Sequence, residues 1–220
     1  MHRLARDRAY LIPTFSNPTG AVLPLERRRE VLEIAARHRT LIVEDDPYGE
    51  LYFENPPPPT LLALSAEVSG SRDWLVHCGS ASKIIAPGLR VGWVVAPEKL
   101  LGNIVMCKQF SDTHASTLTQ AVMTEYLTSG RLPAHLDKAR RAYAERAAAM
   151  SSALSNLLAD DFKFENPTGG LSSGDGWPSE AMIQNASVRP PLPRRQSTSA
   201  LLSYRARRFM QKTRMSSLCG

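Results

Sequence analysis

Cysteine is scarce in this 220-residue chain, and the three present, Cys78, Cys107 and Cys219, lie far apart. The odd count and wide spacing exclude a disulfide framework and offer no zinc pattern. The five histidines are scattered, without H-E-x-x-H or comparable ligand spacing, so no metal centre is predicted. A continuous apolar run of about 18 residues, long enough to cross a bilayer, is missing as well. At the N-terminus Arg3, Arg6 and Arg8 are interrupted by Asp7 and no apolar stretch follows, so no signal peptide is read. Strand-like sequence by Tyr10 argues against a mitochondrial leader. The expectation is a cytoplasmic protein with no membrane partner. Charge of one sign is also lacking over most of the chain. Residues 1–171 hold 19 Lys+Arg and 19 Asp+Glu, so the net +6 resides in residues 172–220, which hold 8 basic and 2 acidic residues. A neutral body has no basic groove, and no specific nucleic-acid partner is predicted. No internal repeat is visible.

What is present is an alternation of strand and helix patterns. Hydrophobic residues make up 43% of the chain, enough for a sizeable core. Ala9–Phe15 reads as a strand ending in the turn Ser16-Asn17-Pro18-Thr19-Gly20. Pro24 opens a helix to about Arg39, with Val31, Leu32, Ile34 and Ala35 on its apolar face and Arg27–Arg29 on its polar part. Leu41–Val43 reads as a buried parallel strand ending in Glu44-Asp45-Asp46, which completes a βαβ unit. Pro56–Pro59 is a stiff loop. Further strands are predicted over Trp74–Cys78 and Arg90–Ala96, helices over about 97–110, 115–129 and 133–158, and a short strand over Phe162–Glu165 before the turn Pro167–Gly170. After Leu171 apolar periodicity stops. Nine serines and the Pro190, Pro191, Pro193 cluster among arginines give 172–220 a disorder-like composition.

In open α/β sheets, ligands bind beyond the carboxyl ends of the strands. Three such ends carry polar groups here: Asn17, Asp45 to Tyr48, and Ser80 to Lys83. Together with Arg90 they offer an amide, a carboxylate, a phenol, hydroxyls, an amine and a forked cation, the groups an aromatic aldehyde phosphate needs. Lys83, flanked by small and apolar residues that suit partial burial, is the candidate nucleophile toward the aldehyde. Asp45 would pair with a pyridinium nitrogen, and Arg90, Ser80 and Ser82 would take phosphate. Each group has a plainer reading. A lysine in a loop is usually solvated, Asp45 and Asp46 could cap a helix, and Asn17-Pro18-Thr19-Gly20 could be an ordinary turn.

Asn17-Pro18-Thr19-Gly20, Asp45-Asp46-Pro47-Tyr48 and Ser80-Ala81-Ser82-Lys83, followed by Pro87-Gly88-Leu89-Arg90-Val91-Gly92, resemble in order and spacing the motifs of class I/II pyridoxal-phosphate (PLP) aminotransferases of fold type I. The wording of the first two is most similar to the 2-aminoadipate and multifunctional branch. The resemblance covers roughly residues 9–171. It implies an incomplete α/β three-layer large domain over 1–130, a long helix and the start of a small α+β domain over 131–171, and a tail over 172–220. It implies PLP as cofactor, amino acid and 2-oxo acid substrates, and a homodimer. Carried over residue by residue, Lys83 holds the cofactor, Asp45 faces its ring nitrogen, Tyr48 and Asn17 donate to its ring oxygen, and Ser80, Ser82 and Arg90 bind its phosphate. Lys83, Asp45 and Tyr48 are the expected catalytic residues.

Ala81 stands where the family carries an aromatic. The family's glycine-rich phosphate cradle, its ring-stacking aromatic and its carboxylate-binding arginine have no counterpart here. Weak cofactor binding and little turnover are therefore expected of the 220-residue chain. Alternatives are an inactive fragment that associates with a full-length aminotransferase, or the effector domain of an aminotransferase-like transcription regulator. The abrupt change after Leu171 suggests, as a hypothesis, a frameshift or aberrant splice. Independent cDNA clones with an uninterrupted frame across codons 165–180 would count against it.

Overall fold

The computed structural model of the protein describes residues 8–158 and 164–172. Four strands form one sheet in the order β1 (Arg8–Leu11), β2 (Leu41–Asp46), β3 (Leu75–Ser80), β4 (Gly92–Val95). The first three run parallel and β4 pairs antiparallel to β3. Helix α1 (Leu25–His38) crosses from β1 to β2, and the one-turn helix α2 (Leu61–Leu64) lies between β2 and β3. A single turn, α3 (Ala81–Ile84), follows β3 directly. Three longer helices come after β4: α4 (Glu98–Asp112), α5 (Thr117–Thr128) and α6 (Leu132–Leu158).

Strand alternation divides the sheet into two faces. Ala9, Leu11, Ile42 and Leu75 fall on one face and pack with Leu32 and Ala35 of α1 and Leu61 and Leu64 of α2. Tyr10, Val43, Asp45, Cys78 and Val94 fall on the other, where Tyr10 is 62% and Val94 43% exposed. Among the described residues the α1/α2 layer and the sheet are thus two of the layers of the fold, and the Asp45 face is open. A second small core, Phe15, Tyr48 and Leu51, lies beyond the strand ends and is flanked by Ile84 and by Tyr143 of α6.

Several sequence expectations shift. The strand expected over 9–15 pairs only to Leu11. Residues 12–15 leave the sheet so that Phe15, at φ 49°, can enter the second core. Arg90 does not begin a strand but ends the turn Pro87–Leu89 in the left-handed region, φ 54°, with β4 starting at Gly92. Arg28, placed by its period on the polar part of α1, is fully buried. Its guanidinium donates to the carbonyls of Pro13 (2.8 Å), Leu23 (2.8 Å) and Pro59 (3.0 Å) and to Thr14 Oγ1 (2.9 Å). Those acceptors come from irregular, proline-containing segments outside the helix, and the buried cation is tolerated because four hydrogen bonds compensate its lost hydration. The turn at Pro167–Gly170 docks on the chain after Tyr48, with Phe53 N–H donating to Thr168 O (3.0 Å) and Gly170 N–H to Leu51 O (2.9 Å). The strand expected over 162–165 and the tail over 172–220 lie almost wholly outside the described residues.

Candidate functional site

The parallel register places Asp45 opposite Cys78 and Asp46 opposite Gly79, so the acidic end of β2 and the serine end of β3 stand side by side. Glu44, Asp45 and Asp46 are consecutive, and alternation sends Asp45 to the face opposite Glu44 and Asp46. Glu44 is fully buried on the helix side. Its two oxygens accept from Leu61 N–H (2.6 Å) and Leu62 N–H (3.0 Å), the free amides at the start of α2, and from His77 Nδ1 (2.8 Å). The hydrogen bond to Glu44 raises the His77 pKa above its usual 6.5, against the effect of burial. Asp46 Oδ1 accepts from Gly49 N–H (3.0 Å), and burial followed by the Glu44 charge raises the Asp46 pKa. Glu44 therefore caps α2 together with Thr60, and Asp46 caps the following turn, which leaves Asp45 for the open face.

Asp45 is half-buried there, and its Oδ2 accepts a short hydrogen bond from the Tyr10 hydroxyl. Partial desolvation of the hydroxyl, that hydrogen bond and the nearby Asp45 charge push the Tyr10 phenol up to about 12. Tyr48 and Cys78 also contribute to the field at Tyr10, so Tyr10, Asp45, Tyr48 and Cys78 share one electrostatic neighbourhood. Burial, and then Asp45, raises the Cys78 thiol. Tyr10 was not among the sequence candidates. The available signal was its register two residues before the end of the strand face that carries Asp45.

Lys83 sits on α3, the first turn after β3, and is exposed rather than partly buried as its small flanking residues suggested. Those residues turn inward instead: Ala81 is fully buried and Ile84 packs against the Phe15–Tyr48 core. Ser80 caps the turn, its Oγ accepting from Ser82 N–H (3.1 Å). Ser82 Oγ in turn accepts from Arg90 Nη1 (3.4 Å), across the Pro87–Leu89 turn. Neither Lys83 nor Arg90 has a carboxylate partner among the described residues. An exposed amine and an exposed guanidinium joined through a serine turn are suited to an aldehyde and a phosphate dianion respectively. Asp45 Oδ1, free of protein donors among the described residues, is suited to a protonated ring nitrogen. In this respect the residues present fit a pyridoxal phosphate. Asn17, after which the peptide to Pro18 is cis, is exposed at the end of the chain leaving β1. Tyr48 is 8% exposed, its ring in the second core. The structure thus places Asp45 and Tyr48 near the same Tyr10 phenol and ties Ser80, Ser82 and Arg90 to the Lys83 turn. Among the described residues no hydrogen bond or ion pair joins the side chains of the two groups.

Two clefts flank this region without containing it. One of about 1020 Å³ lies between Phe15, the Pro56–Pro58 loop and α6, and one of about 610 Å³ lies between Ile84, Ile85, Trp93, Leu127 and Leu136. Among the described residues no cluster of His, Cys, Asp and Glu is placed to hold a metal ion, and no helix is long and apolar enough to cross a membrane.

Comparison with known proteins gives a consistent likeness. The family model of aminotransferase class I and II matches residues 5–200, and so extends beyond the motif resemblance over roughly residues 9–171. The 2-aminoadipate transaminase of Thermus thermophilus is 38% identical over 171 residues, which are 76% of this chain and 42% of that protein. The HTH-type transcriptional regulator YisV of Bacillus subtilis is 35% identical over 74% of this chain and 32% of its own length. Among solved structures, a Pyrococcus horikoshii kynurenine aminotransferase matches 74% of this chain and 39% of its own at a TM-score of 0.69 and 34% identity. The chain spans about two fifths of the length of the curated aminotransferases it matches.

Proposed function

The chain belongs to the class I and II aminotransferase family, and from that premise we propose that it supplies the lysine-bearing part of a pyridoxal-phosphate-dependent transfer of an amino group from an amino acid to a 2-oxo acid. The observation that carries this reading is the junction of β2 and β3. There Asp45, the Ser80–Lys83 turn and the Arg90–Ser82 bond stand at adjacent carboxyl ends of parallel strands, with neither the lysine nor the arginine held by a carboxylate among the described residues.

When bound, the cofactor supplies an aldehyde for the amine and a ring that withdraws electrons from the substrate α-carbon. Lys83 Nζ would anchor it and, once displaced by the incoming amine, carry the α-proton as general base and then general acid. Asp45 would keep the ring nitrogen protonated, itself oriented by the Tyr10 hydroxyl. Tyr48 and Asn17 would donate to the ring oxygen, and Ser80, Ser82 and Arg90 would hold the phosphate. The active protein is a homodimer in this reading, and the 220-residue chain alone binds cofactor weakly and turns over little. The test is an absorbance titration with pyridoxal phosphate followed by addition of single amino acids. A spectral change on amino acid addition that is lost in Lys83→Ala supports the reading. Wild type and Lys83→Ala responding alike sinks it.

The likeness to YisV favours a second reading, in which the same lysine site serves a transcription regulator as a sensor. Ligand-dependent spectral change without release of any 2-oxo acid would select it.

A further inference from the structure

Helix α6 holds the backbone and carboxylate of the chain after Tyr48 through Arg140. Arg140 is 14% exposed, and its guanidinium stacks 3.8 Å over the Tyr52 ring. Nε donates to the Glu50 carbonyl (2.8 Å), Nη2 to Glu50 Oε2 (3.1 Å), and Nη1 to Asp137 Oδ1 (3.1 Å) one turn back on α6. Every donor face of the guanidinium that the geometry uses is spent on residues 50–52 or on holding its own rotamer. The gripped stretch is one tight turn from Tyr48: Leu51 N–H donates to Tyr48 O (2.8 Å), and Gly49 N–H to Asp46 (3.0 Å). Tyr143, one turn further along α6, packs against the core that holds the Tyr48 ring, and so does Ile84, the neighbour of Lys83. Leu136, Ile84 and Ile85 line the same cleft as Arg140.

A planar, forked cation stacked on one ring and bonded to one backbone carbonyl fixes a position; a point charge could not do so. The contacts are also directional, since a shift of α6 along its axis breaks all of them together. We propose that Arg140 is a positioning residue: from α6 it fixes Glu50–Tyr52 and thereby sets where the Tyr48 phenol stands relative to the Lys83 turn. This deepens the functional reading above and rests on it, because Tyr48 matters only if the phenol serves the cofactor. In that case a displacement of α6 reaches the polar contacts of Glu50–Tyr52 through Arg140, beside the apolar contact of Tyr143 with the Tyr48 core.

The test uses the full chain in two measurements. In hydrogen exchange, Arg140→Met speeds exchange of the peptide spanning 48–53 by at least about tenfold while peptides of α1 and β2 are unchanged. In a double-mutant cycle on pyridoxal phosphate affinity, Arg140→Met and Tyr48→Phe each weaken binding by about tenfold and the double variant is no weaker than either. Losses that multiply overturn the proposal, because Arg140 then acts elsewhere than through Tyr48. Unchanged exchange at 48–53 overturns it too. If Arg140→Met does not fold, Arg140→Lys, which keeps the charge and loses the fork, is predicted to give the same pattern at smaller amplitude. If the wild type takes no cofactor at Lys83, the functional reading fails by itself. Exchange then decides for Arg140: a rise confined to 48–53 upholds its grip on the turn, and no rise refutes it.

Discussion

Glu44 and Asp45 are adjacent carboxylates, and the strand assigns them different work. Glu44 is enclosed, with two backbone amides and an imidazole on its oxygens, so it joins β2, β3 and the start of α2. Replacing it by Ala leaves three buried donors without an acceptor, and the expected loss is roughly 3 kcal/mol or more, read by urea denaturation. His77 adds a pH dependence. Its folded pKa lies above the 6.5 of the free side chain because of Glu44. The stabilisation is thus fully present below pH 6.5 and is lost as pH rises through the raised value. Asp46, also raised, adds a slope of the same sign from a lower starting pH, while Arg28 acts on Asp46 in the opposite direction and Asp45 acts on His77 from the other face of the sheet. Denaturation midpoints should therefore fall from pH 6.5 upward, and His77→Gln should flatten that fall. An identical slope in the variant would show that the pair contributes nothing. At this scale Asp45, Lys83 and Arg90 could be read as candidates because their motifs keep order and spacing along the chain. Arg28, Glu44 and His77 could not, because burying a charge depends on acceptors and amides that sit far away in sequence.

Elements were legible where periodicity is strong. Helices α1 and α6 and strands β2 and β3 fall within a few residues of expectation. The misreadings occur where tertiary packing overrides a local pattern, as at residues 12–15, which look like a strand but deliver Phe15 to the second core. The turn at Gly169 and Gly170 closes over that ring. A Cβ on Gly169 would stand 2.2 Å from Phe15 Cζ, and Gly170 has φ 73°. Gly169→Ala must push a buried aromatic aside and is expected to cost about 1–3 kcal/mol, visible as a lower Tm. An unchanged Tm would mean that the turn does not pack on Phe15 as described. Gly79 on β3 is constrained in the same way by the Trp93 indole, 2.2 Å from the position of a Cβ. The strand that leads to the lysine therefore has no room for a side chain there.

On the scale of the whole molecule, the apolar surface is unevenly distributed. Helices α4 and α5 have no buried residue, and Phe110 and Leu118 are 72% and 73% exposed. The Asp45 face of the sheet is open as well. Exposed apolar area on this scale drives association. The 220-residue chain is expected to sediment as concentration-dependent oligomers, and Phe110→Glu with Leu118→Glu to shift it toward monomer. A wild-type chain that stays monomeric at high concentration would contradict this. The exposure of α4 and α5 could not be read from their sequence, since their apolar period is the same whether or not a partner surface covers it.

The central claim is that the β2–β3 junction is a cofactor site built around Lys83. It is tested most directly by incubating the purified chain with pyridoxal phosphate, reducing with borohydride and mapping the modified peptide by mass spectrometry. The account predicts a pyridoxyl adduct concentrated on Lys83 and reduced by Asp45→Ala and Arg90→Ala. Label spread evenly over Lys83, Lys99, Lys108 and Lys138, or no label, would contradict it.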